Sequence, residues 1–458
     1  MSGMNTKKLG LIVLFFLFFF FLLSSPSFPH GNPAAQEDIT LTAELKSDVV
    51  NGVNKILVNN YIFPDTAKEM AEYTSTQHKE GKYDSIDDVN RFARVLTQDL
   101  RSISKDKHIR VTYSPETVRR IRTRNSKSPE DRERERKERL ERERRRNFGF
   151  KKLEILEGNI GYLDLRGFSG ANEASETIIS AMNFLANADA VIIDLRNNGG
   201  GNPFTIQIIS SYFLREYTHL NSFEWRGEDT IRQFWTLRYV PGKKMYDTDL
   251  YILTSSRTFS AAEEFTYNLK NLKRATIVGE TTGGGAHPGG SRIVNDYFLV
   301  WVPSGRAINP ITKTNWEGKG IEPHISVARD KALDKAHYTA LEKLLEKTDA
   351  ETRKRSLQWA MEGIKAKSEP IQVEEEILQK YVGKYTRGDI VLEKGMLFFK
   401  DGPQRMKLIP LSETYFIIEG ENNIRAEFIL DDQSKEYKIK AHFSDGKSEI
   451  VNRLKKEK

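Results

Sequence analysis

Tyr251-Ile252-Leu253-Thr254-Ser255-Ser256-Arg257-Thr258-Phe259-Ser260-Ala261-Ala262-Glu263 is the stretch on which the reading of the fold turns. An apolar, β-prone run (Tyr251 to Leu253) ends in a hydroxyl-rich turn. Ser-Ala-Ala-Glu then opens a helical pattern through Phe265, Leu269 and Leu272. A serine where a strand gives way to a helix sits beside backbone N–H groups that have no partner within the helix. Those donors, with the helix dipole, stabilise a developing negative charge. Ser260 is therefore a candidate nucleophile. In the plainer reading it only caps the helix, with Glu263 three residues on completing a capping box.

Working outward, strands are expected over 160–165, 190–195, 249–253, 275–278 and 297–302, with helices over 175–187 and 203–214. Strands alternating with helices predict an α/β core with a largely parallel sheet, here over 148–335. Upstream, Val49, Val53, Ile56 and Leu57, then Val89, Phe92, Val95, Leu96 and Leu100, recur at helical spacing. An N-terminal helical domain of three or four helices is expected over 38–115. Downstream, short alternating runs separated by Gly, Asp and Asn turns predict a small antiparallel β-domain over 369–458, sandwich or barrel.

At 458 residues the chain exceeds one simple core. Residues 1–31 have a short basic start, an apolar block from Leu9 to Leu23 and small, turn-forming residues after it. That is the layout of a signal peptide, and it predicts an exported, periplasmic or secreted protein, with an uncleaved membrane anchor as the alternative. There is no cysteine, which excludes disulfides, thiolate chemistry and a lipid anchor on cysteine. The net charge is +7; residues 117–147 hold fourteen Lys/Arg against seven Asp/Glu and account for all of it. The alternating signs from Glu130 to Arg139 read as a solvated helix, a charged spacer over 116–147, and no nucleic-acid partner is indicated.

Asp194-Leu195-Arg196-Asn197-Asn198-Gly199-Gly200-Gly201-Asn202-Pro203 stands at a strand end before a helix, and its glycines let backbone approach a ligand closely. The P-loop lysine is missing, and no dinucleotide fingerprint fits. Together with the Ser260 segment, with Gly279-Glu280-Thr281-Thr282-Gly283-Gly284-Gly285 and with Gly318-Lys319-Gly320-Ile321-Glu322-Pro323, this motif resembles the core of the carboxyl-terminal processing (tail-specific) peptidases. The resemblance implies a ClpP/crotonase-like spiral core and a serine-type endopeptidase that forms an acyl-enzyme; no metal or organic cofactor is expected, since no His/Asp cluster has ligand spacing. Peptides or unfolded proteins would be its substrates, with transient membrane association through the N-terminal segment; the oligomeric state is not indicated.

One departure from that family is informative. Its best-known branch uses a lysine twenty-five residues after the serine, which here falls on Gly285, and no lysine lies between Arg274 and Arg292. Nor does the mostly charged stretch from Ile109 to Asn147 leave room for that branch's PDZ domain. A different base is needed. His108, in Asp106-Lys107-His108-Ile109-Arg110-Val111, resembles the Asp-x-His segment of the tricorn protease and interphotoreceptor retinoid-binding protein branch, where the histidine is the general base. His287, in Gly285-Ala286-His287-Pro288-Gly289, competes for that role or faces substrate with Gly199 and Gly201. Glu317 matches the branch's late glutamate, which would orient the imidazolium. The backbone N–H groups of Gly200 and Ala261 are the expected oxyanion donors. Glu263, Asp194 and Arg196 are expected to be structural. The retinoid-binding relatives leave a second reading, a non-catalytic module for apolar ligands.

Overall fold

In the computed structural model, which describes residues 39–124 and 127–454, the chain starts with three helices: α1 (Ala43–Asn60), α2 (Pro64–Lys79) and α3 (Val89–Ser104). Thr42 caps α1 by accepting from Leu45 N at 3.2 Å, and Asp88 caps α3 by accepting from Arg91 N at 2.6 Å. Val49, Val50, Val53 and Leu57 of α1 are buried at helical spacing. Lys105, left-handed at φ 58°, ends α3. Five residues later the chain enters β1 (Arg110–Tyr113). The proposed leader lies outside the described residues.

Next come α4 (Pro115–Thr123) and α5 (Pro129–Arg145). Helix α5 is the charged spacer. None of its residues is buried, Ser128 caps it, and pairs such as Glu133–Arg136 (2.7 Å) and Glu141–Arg145 (3.1 Å) line it.

The central layer is built from β2 (Phe150–Leu156), β3 (Ile160–Leu165), α6 (Ala171–Leu185), β4 (Ala190–Asp194), α7 (Pro203–Phe213), β5 (His219–Trp225), β6 (Arg232–Trp235), β7 (Asp249–Thr254), α8 (Ala261–Asn271), β8 (Ala275–Gly279), β9 (Gly289–Ile293), β10 (Phe298–Pro303), β11 (Gly305–Ile308) and β12 (Ile325–Ser326). Six of these strands form one sheet in the order β12-β8-β7-β4-β3-β2, parallel throughout except for the β2–β3 hairpin. Every residue of β4 is buried, as a strand covered on both faces must be. On one face, Ile178 and Met182 of α6, Ile206 and Ile209 of α7, and Phe265 and Leu269 of α8 pack against Ile193, Ile252 and Ile277. On the other, two helices without a counterpart in the sequence reading, α9 (Ala332–Lys347) and α10 (Glu351–Ser368), bury Ala336, Ala340, Leu341 and Leu357 against Ile192, Tyr251 and Val278.

Two smaller antiparallel sheets flank this layer, in the orders β11-β5-β6 and β1-β10-β9. The second joins the helical segment to the core, with Val111 opposite Val300 and Tyr113 opposite Phe298. After α11 (Glu375–Tyr381), eight strands form an antiparallel meander: β13 (Gly383–Tyr385), β14 (Gly388–Glu393), β15 (Met396–Asp401), β16 (Gln404–Pro410), β17 (Tyr415–Ile418), β18 (Ile424–Leu430), β19 (Tyr437–Phe443) and β20 (Ser448–Val451). A bridge from Tyr385 to Arg453 brings its two ends together into a near-barrel, filled by Tyr381 stacked on Phe428 at 4.1 Å. The architecture is thus mixed α/β, with N-terminal helices and a C-terminal antiparallel sheet. Among the described residues no helix is long and apolar enough to cross a membrane.

Candidate active site

Two strand ends meet at the carboxyl edge of the parallel sheet, and each is held by its own polar side chains. After β4, the Asp194 carboxylate takes the Arg196 guanidinium (2.9 and 2.6 Å), the Arg196 N–H (3.0 Å) and the Tyr162 hydroxyl (2.8 Å). After β7, Thr258 Oγ1 donates to Leu195 O (2.8 Å) and Ser255 Oγ to Arg196 O (2.6 Å), which ties the serine turn to the glycine turn. Asp194 and Arg196 hold the loops and are spoken for.

Ser260 stands between β7 and α8 with φ 55° and ψ −121°, in a region that L-residues rarely adopt. Glu263 holds it there. The buried carboxylate accepts from Ser260 N (2.9 Å), Thr282 Oγ1 (2.5 Å), Gly284 N (2.6 Å) and Gly285 N (2.9 Å). Burial raises its pKa, and these hydrogen bonds pull it back down in part. Its role is to lock the serine turn onto the Thr282–Gly285 loop.

The glycine turn lies directly against the serine. A Cβ on Gly200 would stand 2.9 Å from Ala261 N, Phe259 O and Ser260 Cβ, and Gly200 has φ +106°. Only glycine fits there. The Gly200 N–H, however, donates to Asn198 Oδ1 at 2.9 Å. Of the two expected oxyanion donors, Gly200 is thus already engaged, while the Ala261 N–H opens the first turn of α8. Gly201 lines the cavity beside Ser260, and a side chain on it would meet Phe168 O. Gly199 has open space around it.

His108 reaches this turn from the far end of the chain. Its ring lies 4.7 Å from that of Phe259, the residue before Ser260, and a Cβ on Gly285 would stand 2.7 Å from its Cε1. Asp106 Oδ1 accepts from the His108 N–H (2.9 Å) and lies 3.8 Å from Nδ1, which is buried and has no hydrogen-bond partner. Burial lowers the His108 pKa despite the neighbouring carboxylate, so the imidazole is neutral at neutral pH. No hydrogen bond joins His108 to Ser260 Oγ among the described residues. Such bonds are commonly long before substrate binds.

The carboxylates are arranged differently from the sequence expectation. Glu317 Oε2 lies 3.5 Å from His287 Nδ1 and accepts from the Ala286 N–H; its contacts are with His287 and not with His108. His287 Nδ1 is hydrogen-bonded to Asp106 Oδ2 at 2.8 Å, and the Tyr61 hydroxyl donates to the same oxygen at 3.2 Å. Asp106 is therefore the group that faces both histidines. Sequence reasoning had passed over it, although its position two residues before His108 was the available signal. Burial, then the charge on Asp106, pushes the Glu317 carboxyl up to about 7. Asp106, His287 and Glu317 each offer a ligand atom within 4.8 Å of the others, so this cluster is the place where a cation would sit. Positions 106, 287 and 317 are too far apart in the chain for any ligand spacing to reveal it.

A cavity of about 310 Å³ opens at Ser260, walled by Phe204, Phe223, Trp225, Phe234 and Trp316. A larger groove of about 950 Å³, rich in arginine, runs beside α5 and reaches Gly200 but not Ser260.

The pattern described as "Peptidase family S41" matches residues 159–327, and the "N-terminal domain of Peptidase_S41 in eukaryotic IRBP" matches residues 34–150. The chain belongs to peptidase family S41. The "Probable CtpA-like serine protease" of Staphylococcus epidermidis is 27% identical over 184 residues, which cover 38% of this chain and 35% of that protein. Among solved structures, the photosystem II D1 C-terminal processing protease is 24% identical over 37% of this chain and 43% of its own, with a TM-score of 0.32. The tricorn protease is 14% identical over 66% and 37%, with a TM-score of 0.42. The chain thus spans well under half the length of these relatives. Within family S41, the two matched regions meet at β2, just beyond the charged helix α5, with His108 in the first and Ser260 in the second.

Proposed function

We propose that this S41 chain is an exported serine endopeptidase that hydrolyses peptide bonds of peptides or unfolded proteins through an acyl-enzyme. The observation that carries the reading is Ser260: a strained serine at a strand–helix junction, open to an aromatic cavity, with a neutral imidazole packed on the preceding residue.

In this reading Ser260 Oγ attacks the scissile carbonyl carbon while His108 takes its proton. The oxyanion is met by the Ala261 N–H and by the Gly200 N–H once it turns from Asn198 Oδ1. Collapse breaks the C–N bond as His108 returns the proton to the leaving amine. Water, deprotonated by His108, then attacks the acyl carbon, and Ser260 leaves with the proton. Asp106 is the carboxylate best placed to stabilise the His108 imidazolium. His287 and Tyr61 fix Asp106, and Glu317 acts on it through His287. Export rests on the leader-like residues 1–31 alone.

The test is labelling by a fluorophosphonate. The wild type should label, and Ser260→Ala and His108→Ala should not. A folded wild type that stays unlabelled would favour the second reading, an apolar-ligand carrier, which the aromatic cavity also supports.

A further inference from the structure

We infer that the cavity beside Ser260 receives the side chain of the residue whose carbonyl is attacked, and that it selects a large aromatic side chain there. The inference rests on the hydrolytic reading for its chemistry but on separate residues for its selectivity.

The cavity holds about 310 Å³ and is continuous with Ser260 and Ala261, so a chain acylating Ser260 has its adjacent side chain at the mouth. Its walls come from three places. Phe204 stands at the start of α7, Phe223, Trp225 and Phe234 stand on the β5–β6 pair, and Trp316 is held by its indole N–H on Gly285 O at 2.8 Å. The rings are set edge-to-face or tilted: Phe223 and Phe234 meet at 5.4 Å and 90°, and Phe204 and Phe234 at 5.4 Å and 52°. Phe204 is 55% exposed, an aromatic ring left in water in the wall of a mostly aromatic pocket. A guest ring would gain the same edge and face contacts and would cover it.

The alternative guest is a basic side chain, because Glu264 also lines the cavity, one helical turn beyond Ser260. Two features oppose it. Burial pushes the Glu264 carboxyl up to about 8, so at neutral pH it is an uncharged acid. Arg232, the other ionisable residue of the lining, lies 5.8 Å over the Trp225 ring and is ion-paired with Glu228 at 2.7 Å, so it gives a second cation no counter-charge.

The experiment separates the pocket from the chemistry. Ser260→Ala protein is titrated calorimetrically with capped hexapeptides that differ only at one central residue, Phe, Ala or Lys, the rest being Gly and Ser. The Phe peptide should bind at least about tenfold more tightly than the other two, in line with the gain from filling an apolar pocket. Adding Phe204→Ala, at an exposed ring whose loss leaves the fold intact, should reduce that preference at least about threefold; adding Phe234→Ala as well should abolish it. Equal affinity for the Phe and Ala peptides overturns the inference. So does tightest binding of the Lys peptide that is lost in Glu264→Gln. Fluorophosphonate labelling of the wild type is read in parallel. If it fails while the Phe preference holds, the hydrolytic reading falls and the aromatic pocket stands.

Discussion

Asp106 Oδ2 and His287 Nδ1 are hydrogen-bonded at 2.8 Å, across 181 positions of sequence. The other Asp106 oxygen accepts the backbone N–H of His108 and lies 3.8 Å from its Nδ1, so one buried carboxylate stands between both histidines. Asp106→Asn keeps the shape and removes the charge. We expect kcat/KM to fall by up to about 10⁴, the loss seen when the orienting acid of a triad is neutralised. His287→Asn should cost less, because it loosens Asp106 without uncharging it. Steady-state kinetics on both variants, with circular dichroism as the check on folding, decides this; an Asp106→Asn enzyme with wild-type kcat/KM would remove Asp106 from the mechanism.

Glu263 gathers four hydrogen-bond donors on one buried carboxylate. In Glu263→Gln the amide nitrogen must face N–H or O–H groups that also donate. A loss of about 2–4 kcal/mol in unfolding free energy is expected, together with slower labelling of Ser260. Urea denaturation and the labelling rate measure the two effects. A variant as stable as wild type would mean that the loop can be held without the charge.

Gly199 and Gly200 differ sharply in what surrounds them. Gly200→Ala places a methyl 2.9 Å from the serine turn at a φ of +106°, whereas Gly199→Ala meets nothing within 4 Å. Gly200→Ala should lose about 1–3 kcal/mol of stability and most labelling; Gly199→Ala should leave both near wild type. Similar behaviour of the pair would contradict the close approach of the two turns.

The pH dependence follows from two buried groups. His108 must be neutral to accept a proton, and burial holds its pKa below the usual 6.5, so the acid limb of kcat/KM should have its midpoint below 6.5. A midpoint above that value would point to another base. For stability, Glu264 is protonated in the folded chain up to about 8 and in the unfolded chain only up to about 4.5. Between those values unfolding releases a proton, so this group's contribution is present below about 4.5 and is lost as pH rises towards 8. Glu264→Gln should flatten the fall in Tm over that window, which differential scanning calorimetry at several pH values would detect.

The elements that sequence made legible are those with one dominant period. The apolar runs of β3, β4 and β7 and the apolar stripe of α3 could be read locally, because burial on both faces or on one stripe leaves its mark on neighbouring residues. Ser260 and the glycine turn were legible for the same reason. Helices α9 and α10 escaped notice although they cover half of the sheet, for their buried alanines carry little hydrophobic contrast. The part of the site that stayed hidden is the part made by tertiary contact. Nothing near Glu317 in the chain says that it meets His287, and nothing near Phe234 says that it shares a cavity with Trp316.

The pairing of β1 with β10 bears on any attempt at dissection. Val111 and Tyr113 are laddered to Val300 and Phe298 only a few residues beyond His108, so the imidazole is anchored by a strand of the catalytic half. A fragment beginning after the charged helix would forfeit that strand as well as the histidine, and β10 would be left with an open edge ready to recruit another chain. Expressed alone, such a fragment would self-associate before it could be assayed.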